Sequence, residues 1–195
     1  GIQIKLFEQS HLGGTLAGSG VTNNINTGTP RPILSPLWDD LETPAGNFTY
    51  ITTGVAPNRV CTLEWLNAEW NYTGTAAVSF QVKLYEYSRT IEFVYRQQAG
   101  TLASPSASIG IGGATSGQFL SLNNTSASPT ASSVFETTTL NTKPATGQIS
   151  VSIIIHGFQW LILSLQLPET SIPSSLLQVQ DSVQHLHRIL FTAEL

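Results

Sequence analysis

The feature that most constrains the fold is a strict alternation of apolar and polar residues in VSFQVKLYE, residues 78–86, and RTIEFVY, residues 89–95. A period of two is typical of a β-strand with one face in a hydrophobic core and one in water. Two such strands joined by a short polar turn predict an antiparallel hairpin. Residues 59–67, RVCTLEWLN, predict a third strand of the same meander. Its apolar face must be covered by the rest of the chain.

The remaining segments predict more short strands and no core helix. Strands are expected near residues 2–7, 47–53, 107–111, 119–122 and 133–138. The predicted fold class is therefore all-β, an antiparallel β-sandwich of jelly-roll type. The predicted core comprises Leu37, Trp38, Tyr50, Cys61, Leu63, Trp65, Phe80, Val82, Leu84, Ile91, Phe93, Ile109 and Ile111.

The surface of such a sandwich must be built mainly from uncharged polar residues. Charged residues make up 10% of the 195 residues, where about a quarter is usual. Hydroxyl-rich surfaces of this kind are common on secreted β-sandwiches. The net charge of -4, without a Lys/Arg cluster, predicts no nucleic-acid partner. The single cysteine, Cys61, excludes an internal disulfide and is interpreted as a small core residue.

The two ends of the chain differ from its middle. The sequence starts at Gly1 rather than Met and alternates at once, so we expect a piece of a longer protein. A β-sandwich module is predicted over residues 1–148, with the place of residues 1–29 in it open. Residues 149–195 form an atypical apolar tail with a weak amphipathic pattern near its end, at residues 174–190.

Three interpretations of this tail stay open. Its apolar run, residues 151–167, could be a buried hairpin that turns at Gly157. A membrane span is not favoured, because His156, Gln159 and Gln166 interrupt a run of minimal length. The abrupt change in composition also fits a tail that is not native to the domain, such as a frame-shifted or mis-joined end.

Six motifs follow one another along the chain, SPLWDDL (35–41), FTYITTGVAPNRV (48–60), LEW (63–65), FQVKLYE (80–86), IEFVY (91–95) and ASIGI (107–111). Their order resembles a β-sandwich module of large secreted and surface proteins of Bacteroidota-type bacteria. More distantly, the layout is similar to the extracellular nidogen-type domain. The resemblance covers roughly residues 30–147, whereas HLGG at residues 11–14 and the apolar tail depart from it.

The resemblance implies an exported adhesive or spacer module that carries no known catalysis. Modules of this kind commonly lie among fibronectin type III-like repeats or beside a sorting domain. We therefore expect a non-catalytic extracellular binding, adhesion or spacer module of a larger secreted or cell-surface bacterial protein, with an extracellular protein or a glycan as its ligand. A carbohydrate-binding module attached to a glycoside hydrolase is the alternative, and a hydrolase domain is a further one. The oligomeric state is left open.

The acidic cluster Asp39, Asp40 and Glu42 is the candidate metal site, for calcium. Hard cations take carboxylate oxygens from loops of this kind. However, one short loop rarely supplies six ligands. We therefore favour a structural interpretation, in which Asp39 and Asp40 accept backbone N–H bonds and fix the turn after a buried Trp38.

Aromatic side chains supply the candidate ligand contacts. Trp70 and Tyr72 lie in a predicted insert between two strands and could stack on sugar rings, although packing in the core or at its rim is the favoured role. No catalytic or cofactor-binding motif is recognisable. Paired carboxylates could serve glycoside hydrolysis, and Glu64, Glu86 and Glu92 are the candidates for such a pair. They fall on the polar faces of predicted strands, so we favour a solvated face over a catalytic pair.

Overall fold

A computed structural model describes residues 3–4, 7–8, 23–29, 31–43, 47–71, 73–156 and 159–166. These residues form two β-sheets that pack face to face, and no helix occurs among them. The predicted all-β sandwich is confirmed. The strands are β1 (Gln3–Ile4), β2 (Phe7–Glu8), β3 (Ile33–Trp38), β4 (Asp40–Glu42), β5 (Phe48–Thr53), β6 (Val60–Trp70), β7 (Ala76–Tyr85), β8 (Thr90–Gln97), β9 (Ser108–Gly112), β10 (Phe119–Leu122), β11 (Ala131–Ser132), β12 (Gly147–His156) and β13 (Gln159–Gln166).

The two sheets differ in size. The large sheet is eight-stranded, in the order β13-β12-β8-β7-β6-β4-β2, with β5 paired beside β6. The small sheet is five-stranded, in the order β1-β3-β9-β10-β11. Most neighbours are antiparallel, while β1 with β3 and β2 with β4 are parallel. The predicted meander is the run β6, β7 and β8 at the centre of the large sheet.

An aromatic row crosses the inner face of the large sheet, one ring on each of four adjacent strands. Its members are Phe48, Trp65, Phe80 and Tyr95, in cross-strand register. Consecutive ring centroids are 4.9, 5.1 and 6.4 Å apart, a spacing that stabilises aromatic pairs beyond their buried area. The small sheet covers this row with apolar side chains that include Leu34, Leu37, Ile109, Ile111 and Leu122.

The small sheet is covered on a second side by the segment at residues 23–29. Ile25 from this segment forms a separate buried cluster with Ile33, Trp38 and Phe119. The guanidinium of Arg31 holds the segment in place, because it donates hydrogen bonds of 2.7–3.2 Å to five backbone carbonyl groups. Those carbonyls belong to Ile25, Asn26, Gly28, Gly113 and Gln118.

Most of the predicted core is confirmed, and one member is wrong. Cys61, Leu63 and Leu84 are partly buried. Tyr50 is 75% exposed. It lies opposite Leu63, so it does face the inner side of the sheet, but the small sheet does not reach this edge strand. The fully confirmed members are Leu37, Trp38, Trp65, Phe80, Val82, Ile91, Phe93, Ile109 and Ile111.

The chain also differs from expectation outside the core. The predicted strand near residues 133–138 is instead the two-residue strand β11, because the chain leaves the edge of β10 after Ser132. The predicted N-terminal strand is split into β1, which pairs with the small sheet, and β2, which pairs with the large one.

The backbone of the predicted tail continues the large sheet. Strands β12 and β13 pair antiparallel, as the hairpin interpretation expects, and β12 adds to the edge of β8. The predicted boundary at residue 148 therefore falls inside β12, and the division of the chain there stays a prediction. Gly157 and residues 174–190 lie outside the described residues. In the described part of the chain, no helix has the length and hydrophobicity to cross a membrane.

We predict that removing an aromatic ring destabilises the sandwich more at the centre of the large sheet than at its edge. Phe80→Ala should lower the free energy of unfolding by about 3–5 kcal/mol, since it empties the fully covered centre of the aromatic row. Tyr50→Ala should cost less than about 1 kcal/mol, because its ring is mostly in water already. Urea unfolding of the two variants measures the difference, and equal losses would contradict this arrangement.

Candidate functional site

One edge of β6 carries two successive strand segments. β4 pairs with the C-terminal end of β6, and β5 pairs with its N-terminal half. A bulge separates the two halves, where the register of β6 shifts between Trp65 and Ala68 and Asn67 adopts a φ of 56°. Bulges bend the strand that carries them. The outer side of β4 is covered by β2, whereas β5 pairs only with β6 among the described residues.

The exposed strand β5 presents an apolar and aromatic surface. All six of its residues are exposed. Phe48 is 43% exposed, Tyr50 75% and Ile51 59%, and Val55 in the following turn is 81% exposed. Large exposed apolar patches commonly mark sites of interaction. We call this surface, formed by Phe48, Tyr50, Ile51 and Val55, the β5 surface.

The hydrogen bonds between β5 and β6 determine which residues of β5 direct their backbone groups to the outer edge. The amide of Leu66 donates to the carbonyl oxygen of Asn47 at 2.8 Å, so Asn47 directs its backbone groups toward β6. In an extended strand, successive residues direct these groups to opposite sides. Therefore Phe48, Tyr50 and Thr52 direct their N–H and C=O groups away from β6, to the outer edge.

The acidic cluster is divided between the core and its rim. Asp39 is buried, and its Oδ2 accepts hydrogen bonds from Trp70 Nε1 at 2.7 Å and from the Ser106 amide at 2.6 Å. Its Oδ1 accepts from the Asp40 amide at 2.9 Å and from Ser106 Oγ at 3.3 Å. The prediction that Asp39 accepts backbone N–H bonds is thus confirmed. The carboxylate joins β3, the end of β6 and the loop before β9.

Trp70 is fully buried, so the prediction that it forms a surface contact is wrong. The predicted insert does not begin at residue 68, because β6 continues through Trp70 and the bulge turns this side chain into the core. Its indole N–H reaches Asp39 there. Tyr72, the other candidate ligand contact, lies outside the described residues.

Asp40 and Glu42 lie on either side of the buried Leu41 and are partly exposed. Burial raises the pKa of Asp40, and the charges of Asp39 and Glu42 raise it further. Within the described ranges, no group of three or more His, Cys, Asp or Glu side chains is arranged to hold a metal ion. Since both oxygens of Asp39 bind protein donors, the structure favours the structural interpretation over calcium.

Each candidate catalytic carboxylate has its own hydrogen-bond partner. Glu64 accepts a hydrogen bond from Gln81 at 2.8 Å across two strands. Glu86 binds Arg59 through contacts of 2.8 and 2.5 Å, and these hydrogen bonds lower the pKa of Glu86 to about 2. Arg59, which binds Glu86, precedes Glu64 by five positions. Glu86 is therefore separated from Glu64 by about 16 Å along the extended chain. Glu92 accepts a hydrogen bond from the Tyr85 hydroxyl at 2.6 Å.

An open polar cleft of about 570 Å³ is a second candidate surface. None of the described residues that line it is aromatic, and many of their polar groups bind one another. Thr125 and Thr142 join their hydroxyls at 2.5 Å, and Gln97 Nε2 donates to the carbonyls of Lys143 and Pro144 at 3.3 and 3.1 Å. The cleft is lined by Gln97, Asn123, Asn124, Thr125, Ser126, Thr137, Thr139, Leu140, Asn141, Thr142, Lys143 and Ala145.

This arrangement of strands can be compared with known families. A family model described as NIDO related matches residues 6–151, which include both edge segments of β6. The chain belongs to the NIDO-related family. The distant nidogen-type similarity predicted from the motifs is thereby supported. Searches of curated proteins and of solved structures give no match for this NIDO-related chain.

The sequence predicts β5 as a strand, but it was not recognised as an exposed edge strand. The segment was predicted as a strand, and its residues are all apolar or hydroxyl-bearing. The signal that it lies at an edge is the lack of a full apolar stripe, since only Phe48 and Tyr50 are large on its inner side. Arg31 and Glu136 were also missed. The carboxylate of Glu136 accepts hydrogen bonds from the amides of Ile25 and Asn26.

We predict that Asp39→Ala lowers the free energy of unfolding by about 2–3 kcal/mol, because it leaves the Trp70 indole and the Ser106 amide without an acceptor in the core. Asp39→Asn keeps one acceptor oxygen and should cost less. Chemical denaturation monitored by tryptophan fluorescence tests both variants. A loss for Asp39→Ala within the error of the wild type would show that the buried carboxylate does not hold these segments together.

We predict that Asp40→Asn stabilises the domain at pH 7. The pKa of Asp40 is raised by folding, so the ionised side chain favours the unfolded state. This penalty is absent below the ordinary pKa of Asp, about 4, and appears as the pH rises through the folded-state pKa. The melting temperature of Asp40→Asn should therefore exceed that of the wild type at pH 7, and the difference should shrink toward pH 3.5. A lower melting temperature at pH 7 would contradict this.

Proposed function

We propose that this NIDO-related domain is a non-catalytic binding or adhesion module, or a spacer, within a larger secreted or cell-surface bacterial protein. Its family relationship supports an extracellular setting, since nidogen-related domains are typically extracellular. Among its functions, binding is favoured over a purely spacing function by one observation, the β5 surface. Tyr50 and Val55 are exposed there at 75% and 81%.

Several features of the β5 surface suit a protein ligand. Tyrosine side chains with both an apolar ring and a hydroxyl are enriched in interfaces. The strand also offers backbone donors and acceptors along its outer edge, which an extended segment of a partner can use. The surface is packed on the core of the large sheet through the contact of Phe48 with Trp65, at a centroid distance of 4.9 Å.

A carbohydrate-binding module attached to a glycoside hydrolase is the second candidate function. The polar cleft favours it, because the side-chain amides of Asn123, Asn124 and Asn141 can both donate hydrogen bonds to sugar hydroxyls and accept them. Trp70 no longer supports this alternative, since it is buried. None of the described residues that line the cleft is aromatic, and the exposed aromatic rings outside the β5 surface include Tyr87 and Phe135.

The proposal is tested by screening the full chain against a panel of immobilised extracellular proteins and glycans. We expect a ligand whose affinity falls by at least about tenfold in the double variant Tyr50→Ser/Val55→Ser. Phe135→Ser is the matched control, because Phe135 is also 75% exposed but lies after β11. It should bind as the wild type does.

Three results would argue against the proposal. Binding that is lost equally in Phe135→Ser would show that the β5 surface is not the site. Binding that is lost in Asn123→Ala but retained in the β5 double variant would favour the carbohydrate alternative. Hydrolysis of any panel member by the purified chain, abolished in Glu64→Gln, would establish the hydrolase interpretation.

A further inference from the structure

Among the residues that the structure describes, the outer edge of β5 has none of the features that normally protect a sheet edge. Natural edge strands carry charges, proline or bulges, because unpaired N–H and C=O groups otherwise pair with other chains. Residues 48–58 contain no charged residue, and Pro57 follows the strand rather than interrupting it. The bulge of β6 lies beyond the segment that pairs with β5. The six residues Phe48–Thr53 therefore form an uninterrupted and uncharged edge.

The residues that direct backbone N–H and C=O groups to the outer edge are arranged symmetrically about Tyr50. Phe48, Tyr50 and Thr52 direct their backbone groups outward, as the bond between Leu66 and Asn47 requires. In an antiparallel register that places Tyr50 opposite a second Tyr50, each Phe48 lies opposite a Thr52. All three positions then form hydrogen-bonded pairs, and each such pair contributes two bonds, about six in total.

We propose that β5 pairs antiparallel with β5 of a second copy of this chain, so that two large sheets join edge to edge. The twofold axis passes midway between the two Tyr50 residues, perpendicular to the sheet. Residues directly opposite each other in a sheet point to the same face. The inner faces of both copies consequently lie on the same side, and the row formed by Leu63 and Tyr50 continues into the second copy.

The side chains of the strand favour a second copy as the partner. A charged segment would find no counter-charge in residues 48–58, and Arg59, which follows them, is already paired with Glu86 at 2.5 Å. A second β5 brings only hydroxyl, apolar and aromatic groups. Across the axis, Thr49 would face Ile51 on the outer side, while the two Tyr50 rings would face each other on the inner side. Aromatic cross-strand pairs stabilise sheets.

The size of the contact sets the expected strength of association. Six residues on each side fall short of the 20–30 that a stable interface of standard size uses. We therefore expect a reversible dimer with a dissociation constant on the order of micromolar. Weak homotypic contacts gain strength when several copies are held together on one surface. Homotypic pairing goes beyond the proposed function, and its failure would leave binding of other ligands unaffected.

Sedimentation of the full chain between about 1 and about 500 µM tests the proposal. The wild type is expected to pass from monomer to dimer over this range. Tyr50→Lys and Tyr50→Glu should each weaken the dimer more than about tenfold, because each places like charges opposite each other at the axis. An equimolar mixture of the two should restore it. Tyr87→Lys is the matched control, since Tyr87 is 74% exposed but lies in the turn after β7.

Hydrogen exchange identifies the strand involved. The amides of Phe48, Tyr50 and Thr52 should exchange fast in monomeric Tyr50→Lys and slowly in the wild-type dimer. Slow exchange in the monomer would show that another segment of the same chain covers the edge, which overturns the proposal. A wild type that stays monomeric throughout also overturns it, as does a mixture that fails to restore the dimer. Species larger than a dimer would indicate head-to-tail pairing with a different edge, such as β13, and would equally overturn it.

Discussion

The structure depends on the packing of the small sheet against the aromatic row of the large sheet. The row is deepest at Tyr95, which is 1% exposed and whose hydroxyl donates to the carbonyl of Pro36 in the opposite sheet. Exposure rises along the row to 43% at Phe48. One continuous line of ring contacts, stacked between Trp65 and Phe80 and tilted in the other two pairs, therefore serves as core at one end and as accessible surface at the other. The exposed end of the row is thus packed on the buried end.

The sequence shows which face of the sheet each side chain points to, but not whether its strand lies at the centre of the sheet or at the edge. Alternation assigns every second residue of a strand to one face, and it did so correctly for Trp65, Phe80 and Val82. Tyr50 shares that inner face but lies one strand beyond the cover. Periodicity contains no information on which strand is outermost, since that depends on how many strands the opposite sheet brings. Trp70 was misplaced for a different reason, because the bulge near Asn67 resets the alternation within β6.

The hydrogen bonds of the charged residues could not be predicted from the sequence. Arg31 binds the carbonyls of Gly113 and Gln118, and Glu136 binds the amide of Asn26, 110 positions away. Backbone groups are present at every position, so a partner of this kind leaves no mark in the sequence. Asp39 is similar, with Ser106 as its distant partner. Only 10% of the residues are charged, and in these three examples a charged side chain joins distant segments of the sandwich.

The positions of the charged residues help to interpret the absence of charge in β5. An isolated uncharged edge would say little in a chain that is poor in charge everywhere. However, the adjoining half of the same edge, β4, carries Asp40 and Glu42 and is covered by β2 as well. Charge and cover thus occur together where the edge is closed, and both are missing along the described part of the edge at β5. Unpaired edges expose a protein to aggregation, so leaving the aromatic half of the edge open is more readily explained by use as a binding strand than by neutral variation.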